Sequence, residues 1–129
     1  MKYLCTIYGD ESQFADATPE QMNEMLAAYG AFGEEAGDVI LGGEGLQPTS
    51  TATTVRVRDG ERMLTDGPFA ETKEQLGGFY LLECASLDKA IDWAAKIPGA
   101  STGSVEVRPV MNYEGAGSED AQRSAAAQS

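Results

Sequence analysis

Thr65 to Glu83 reads TDGPFAETKEQLGGFYLLE, and the order of its parts decides the fold: a sharp turn, a charged connector, a glycine pair and an unbroken apolar strand. In Asp66-Gly67-Pro68-Phe69 the glycine tolerates unusual backbone angles, the proline fixes its own φ, and the aspartate is placed to accept bonds from the amides after it. Ala70 to Gln75 carries Glu71, Lys73 and Glu74 and is too short for a stable helix alone, so it reads as a single turn or irregular connector. From Phe79 to Cys84 both alternating faces are largely apolar, Phe79, Leu81 and Glu83 on one and Tyr80, Leu82 and Cys84 on the other. A strand of that kind needs cover on both sides and belongs in the middle of a sheet. Gly77 and Gly78 at its start suit a bulge or a backbone passing close by.

Working outward, Lys2 to Tyr8 alternates Tyr3, Cys5 and Ile7 against Leu4, Thr6 and Tyr8, a strand with one apolar and one mixed face. Gly9 to Ala17 reads as a polar loop. Thr18 then opens a helix, with Pro19 at its first position and Gln21 completing a capping box. Met22, Met25, Leu26, Tyr29, Phe32 and Ala36 form one apolar stripe, which at this spacing predicts core packing rather than a cofactor box. Gly37 ends the helix. Val39 to Leu41 is a short strand running into Gly42-Gly43-Glu44-Gly45, a run that lacks the spacing of a phosphate-binding loop and reads as a loop or bulge. Thr53 to Arg58 and Glu61 to Thr65 flank Asp59-Gly60, a hairpin signal that sets Arg56 and Arg58 on a common face.

After the central strand, Ser86 caps a helix whose buried stripe is predicted at Leu87, Ala90, Ile91, Ala94 and Ala95, with Trp93 on its flank; Pro98 and Gly99 stop it. Val105, Val107 and Pro109 alternate with Glu106, Arg108 and Val110 in a last strand. Glu114 to Ser129 has no periodicity and reads as a flexible C-terminal tail, which leaves residues 1–113 as one domain.

With the hairpin set aside, the order strand, helix, strand, strand, helix, strand predicts an α+β ferredoxin-like βαββαβ sandwich with an extra β-hairpin. Two helices cover one sheet face only, so the doubly apolar Phe79 to Cys84 strand calls for a second cover, and another copy of the chain supplies it most simply.

Composition narrows the function. The 21 acidic and nine basic side chains give a formal net charge of -12, which repels nucleic acid and anionic lipid. No apolar run approaches the roughly 20 residues of a membrane span, and no signal-peptide pattern opens the chain. Cys5 and Cys84 lie in predicted strands without CxxC spacing, the pattern of buried reduced thiols in a cytoplasmic protein. The chain has no histidine, so any catalysis draws on carboxylates, Tyr, Lys, Arg or Cys, with no metal or other cofactor called for. Asp66, in its fixed turn, is the first acid/base candidate and Tyr8 the second. If the apolar residues of the last strand face the helices, Glu106 and Arg108 project to the open face, where Thr6, Tyr8 or Arg56 can join them. Arg56, Lys73 and Arg108 are then candidates to hold an anionic group, with Glu106 beside them.

The TDGPFAETKEQLGGFYLLE stretch resembles the hallmark of the YCII-related family, in the branch with a DGPF domain. The likeness extends to KYLCTIYGDE at the start, GGEGLQP at Gly42 to Pro48, TATTVRVRDG at Thr51 to Gly60 and GSVEVRPVM at Gly103 to Met111. The resemblance implies a ferredoxin-like fold assembled as a homodimer of the dimeric α+β barrel type. The polar side chains on otherwise apolar strands predict a small polar or anionic organic ligand, bound or transformed without metal in a cleft of such a dimer. The alternative the resemblance raises is a non-catalytic accessory protein for extracytoplasmic-function sigma factors, a transcription-related partner that the acidic surface would meet through basic residues. The His-Asp pair associated with some members has no counterpart in a chain without histidine; Asp66 is what remains of it.

Overall fold

Gln75–Glu83 forms the strand β5, and it lies inside the sheet as its two apolar faces require. In the computed structural model, which describes residues 1–112, β5 pairs antiparallel with β1 (Lys2–Gly9) on one side and β2 (Ile40–Gly45) on the other. The strand β6 (Ser104–Pro109) pairs antiparallel with the far edge of β1, so the sheet runs β2-β5-β1-β6. That order, with helices connecting β1 to β2 and β5 to β6, is the ferredoxin-like arrangement. The expected tail at 114–129 lies outside the described residues.

The glycine pair does both things its position suggested. Register slips between Ile7 and Tyr8, leaving Gly77 as the extra residue of a bulge. A Cβ on Gly78 would stand 2.9 Å from the Glu44 carbonyl oxygen, so the neighbouring backbone occupies that space.

The helix α2 (Pro19–Ala36) begins at the capping box. The Thr18 hydroxyl accepts from the Gln21 amide at 3.1 Å, and the Gln21 side chain accepts from the Thr18 amide at 2.9 Å. The helix α3 (Leu87–Ala94) begins at Ser86, whose hydroxyl accepts from the Lys89 amide at 3.3 Å. Both helices lie on one sheet face, over a core of Tyr3, Cys5, Leu82 and Cys84 from the strands, Phe32 and Ala36 from α2, and Ala90, Ala94 and Ile97 from α3 and the turn after it. Leu82 and Cys5 are fully buried, and Val105 and Val107 of β6 pack against the same cluster. The two thiols are free and buried, and burial pushes the Cys5 thiol up to about 11, with the charge of Cys84 adding to the effect.

Several local expectations give way to tertiary context. The polar segment after β1 contains a short helix, α1 (Glu11–Ala15), capped by Asp10, whose carboxylate accepts from the Ser12 amide at 2.9 Å. The Gly42 to Gly45 run is strand rather than loop, because β2 continues through it beside β5. On α3 the buried line is Ala90, Ala94 and, just beyond, Ile97. Leu87 and Ile91 remain nearly half exposed, since the small alanines let the helix sit close to the sheet on that face.

The hairpin of β3 (Thr53–Arg58) and β4 (Glu61–Asp66) forms where Asp59-Gly60 marked it, with both turn residues at positive φ. It is a separate two-stranded sheet. The pairs Val55↔Leu64 and Val57↔Arg62 place Val55, Val57 and Leu64 on one face, each more than half exposed.

Candidate functional site

The α2 stripe divides in two. Phe32 and Ala36, in its C-terminal half, are core, whereas Met22, Met25, Leu26 and Tyr29 wall a cavity of about 890 Å³. Core packing therefore accounts for only part of that stripe: Phe32 and Ala36 are buried and Tyr29 packs against them, whereas Met22, Met25 and Leu26 lie outside the core cluster. Across the cavity the other half faces Ile7 and Tyr80 of the sheet, while α3 and the turn after it contribute to the core.

The sheet supplies the floor through Ile7, Gly43, Gly78 and Tyr80, while Phe14 and Ala15 of α1 and the segment from Leu46 to Pro48 border the opening. Glycines at positions 43 and 78 keep the floor open between the larger side chains. The cavity falls within the usual size of a small-molecule site, roughly 300 to 1,000 Å³. Glu11 and Glu44 are lining residues, and among the described residues no lysine or arginine is.

Hydrogen bonds fix its rim. The Glu11 carboxylate accepts from the Thr49 amide at 2.8 Å and the Thr49 hydroxyl at 2.7 Å. The Glu11 amide donates to Gln75 Oε1 at 2.9 Å, and Gln75 Nε2 donates to the Thr72 carbonyl at 2.5 Å. This chain of bonds ties α1, the 3₁₀ turn Thr49–Thr51 and the connector before β5 into one wall. Behind it lies a smaller cavity of about 400 Å³, bordered by Thr49, Gln75 and the turn residues Gly67 and Pro68.

Two phenols sit at the inner end. The Tyr80 ring packs on Phe32, with centroids 5.1 Å apart at 55°, and Trp93 meets Phe32 edge-on at 6.4 Å. The Tyr29 hydroxyl lies against Gly99, where an added Cβ would stand 2.9 Å from it and 2.6 Å from Ile7 Cγ2. Burial raises both phenols above their ordinary range. At Tyr29 the Gly99 amide works against that rise, and at Tyr80 the neighbouring Tyr29 adds to it.

Among the candidates drawn from sequence, Tyr8 borders the cavity and the others do not. Asp66 ends β4 opposite Thr53 and is exposed. Its carboxylate accepts none of the amides expected of it. The turn is closed by the Gly67 amide donating to the Ala52 carbonyl at 2.7 Å and the Thr54 hydroxyl donating to the Gly67 carbonyl at 2.8 Å. Arg56 is on the hairpin opposite Met63, away from the four-stranded sheet. Lys73 is exposed in the connector, and its charge is the least of the influences holding the Asp10 carboxyl below its usual range, after the Ser12 hydroxyl and amide. Glu106 and Arg108 do project from the sheet face away from the helices. They form an exposed ion pair at 2.5 Å, with the Thr6 hydroxyl 3.5 Å from the Glu106 carbonyl. The six candidates therefore do not converge on one site.

Glu11, Tyr29, Gln75 and Tyr80 escaped the sequence reading. Tyr29 and Tyr80 look like ordinary members of apolar stripes, and only the shortage of apolar residues opposite the start of α2 would have set them apart.

Among the described residues no group of three or more Cys, Asp or Glu is placed to hold a metal ion, and no helix is long and apolar enough to cross a membrane.

Comparison with known proteins places these features in context. The YCII-related domain matches residues 1–114. The uncharacterised protein R00369 of Rhizobium meliloti (strain 1021) is 45% identical over 122 residues, covering 88% of this chain and 95% of that protein. A structure of 5-chloro-2-hydroxyhydroquinone dehydrochlorinase, TftG, from Burkholderia phenoliruptrix AC1100, in complex with 2,5-dihydroxybenzoquinone, superposes with a TM-score of 0.51. At 15% identity over 89% of this chain and 98% of that one, the likeness is one of α+β fold. The match over nearly the whole described chain and the close relative agree: this protein belongs to the YCII-related family.

Proposed function

We propose that the protein binds or transforms, without metal, a small polar organic molecule carrying a ring in the cavity between α2 and the sheet. The observation that carries this reading is the 890 Å³ space walled by Met22, Met25, Leu26, Phe14, Tyr29 and Tyr80, apolar and aromatic with few polar groups. TftG, the enzyme of like fold, holds a dihydroxybenzoquinone in its structure, which supports a ligand of that size and shape. An anionic ligand loses ground, because Arg56, Lys73 and Arg108 are absent from the lining.

The working form is a homodimer in a reducing, cytoplasmic setting. Leu4, Phe79 and Leu81 lie on the sheet face that no helix covers, and each is only partly buried. A second copy packed on that face would shield them and flank the Glu106–Arg108 pair.

A thermal-shift panel of neutral, anionic and cationic aromatic metabolites tests the binding reading, since a ligand of the native state raises Tm. Neutral ring compounds should stabilise the protein, and Met25→Trp, which fills the cavity, should abolish the shift. No response to any compound would count against the reading. It would favour the alternative of an accessory protein whose acidic surface meets a basic, transcription-related partner such as a sigma factor.

A further inference from the structure

Resting on that reading, we propose that Tyr29 and Tyr80 act together as a hydrogen-bond donor pair that recognises an acceptor oxygen on an apolar ring, so that the ligand is a neutral aryl ketone or quinone-like carbonyl compound. The argument begins with unspent donors. Among the described residues no hydrogen bond is donated by either phenolic O–H, although the Gly99 amide bonds to the Tyr29 oxygen, and both residues line the cavity. A phenol that packs its ring in a core and keeps its hydroxyl free in an adjoining space is equipped to bond whatever enters that space.

Position is imposed on both. Tyr80 is held by Phe32, itself locked against Trp93. The Tyr29 hydroxyl lies against Gly99, where an added Cβ would stand 2.9 Å from it. Burial favours the protonated phenols, so both remain donors at neutral pH.

The surroundings set the charge of the guest. Among the described residues no lysine or arginine lines the cavity, and the chain contains no histidine. A carboxylate or phosphate would be desolvated there without a counter-charge, near Glu11 and Glu44. A carbonyl oxygen has two lone pairs, carries no net charge, and suits two O–H donors that border the same cavity. The ring behind it would rest on Met25, Leu26 and Ile7.

Acetophenone and α-methylstyrene separate these ideas, because the second replaces the ketone oxygen with a CH2 group in nearly the same shape. Calorimetric titration should show wild-type protein preferring acetophenone by about tenfold, the value of a net neutral hydrogen bond. The infrared carbonyl band of bound acetophenone should move to lower frequency than in hexane. Tyr29→Phe and Tyr80→Phe, which keep the rings, should each reduce the preference and the band shift while still binding α-methylstyrene; the double variant should lose both. Equal affinity of wild type for the two probes would overturn the donor pair and leave the cavity reading intact, as would Phe variants with an unaltered ratio and band. Failure of both probes to bind would overturn both.

Discussion

Gly42 and Gly43 are neighbours in sequence and opposites in surroundings, and alanine substitution should separate them sharply. A Cβ on Gly43 would stand 2.6 Å from the Phe79 carbonyl oxygen and 2.8 Å from Tyr80 Cδ1. The oxygen belongs to β5, so retreat means opening the β2–β5 ladder, and the ring is held against Phe32. Overpacking of this kind costs about 1 to 3 kcal/mol, and disturbing the Tyr80–Phe32 contact adds roughly 0.5 to 1.5 kcal/mol. Gly43→Ala should therefore lose about 2 to 4 kcal/mol. At Gly42 nothing lies within 4 Å of the added carbon and φ is not positive, so Gly42→Ala should be neutral or gain up to about 1 kcal/mol by restricting the unfolded chain. Urea denaturation followed by tryptophan fluorescence, with Trp93 as the sole reporter, reads both. With m of about 2 kcal/mol per molar, the Gly43 variant should unfold at a midpoint lower by roughly 1 to 2 M, its slope unchanged. Coincident midpoints for the two variants, or a wild-type midpoint for Gly43→Ala, would refute the claim that backbone proximity explains this glycine.

The remaining predictions follow from the same packing. Leu82→Ala removes a fully buried side chain from the centre of the core and should cost about 3 to 5 kcal/mol in the same denaturation assay. Thr18→Ala should lose about 1 kcal/mol by breaking the capping box, measurable as a lower Tm. The folded state holds the Cys5 proton more tightly than the unfolded chain does, so that contribution to stability is complete below pH 9.0 and declines as pH rises towards about 11; Cys5→Ala should flatten the decline in stability measured across that window. Leu81→Glu, on the sheet face that no helix covers, should shift the protein towards monomer in sedimentation velocity while leaving its circular dichroism unchanged.

The sequence made the fold legible wherever one residue type has few uses. Thr18-Pro19 with Gln21, Asp59-Gly60, and Gly77-Gly78 each define a local geometry that the structure reproduces. The site was less legible, because a cavity is an absence opposite a stripe, and the stripe from Met22 to Tyr29 looks the same whether or not anything faces it. Asp66 drew attention through its turn, yet Gly67 and Thr54 close that turn through other atoms. On α3, periodicity chose Leu87 and Ile91 together with Ala90 and Ala94, and only the small alanines are buried.

The hairpin formed by β3 and β4 departs from the body and returns to it at adjacent points, where the Gly67 amide meets the Ala52 carbonyl. Its two strands bond only to each other. Mechanically it is an appendage fastened at its base, so a change in its length leaves the order β2-β5-β1-β6 undisturbed. Lengthening it at Asp59-Gly60 extends the ribbon outward by about 3.4 Å for each residue added per strand. That makes the ribbon the part of this fold where length and side-chain chemistry are free to diverge between relatives while the cavity beneath α2 keeps its shape.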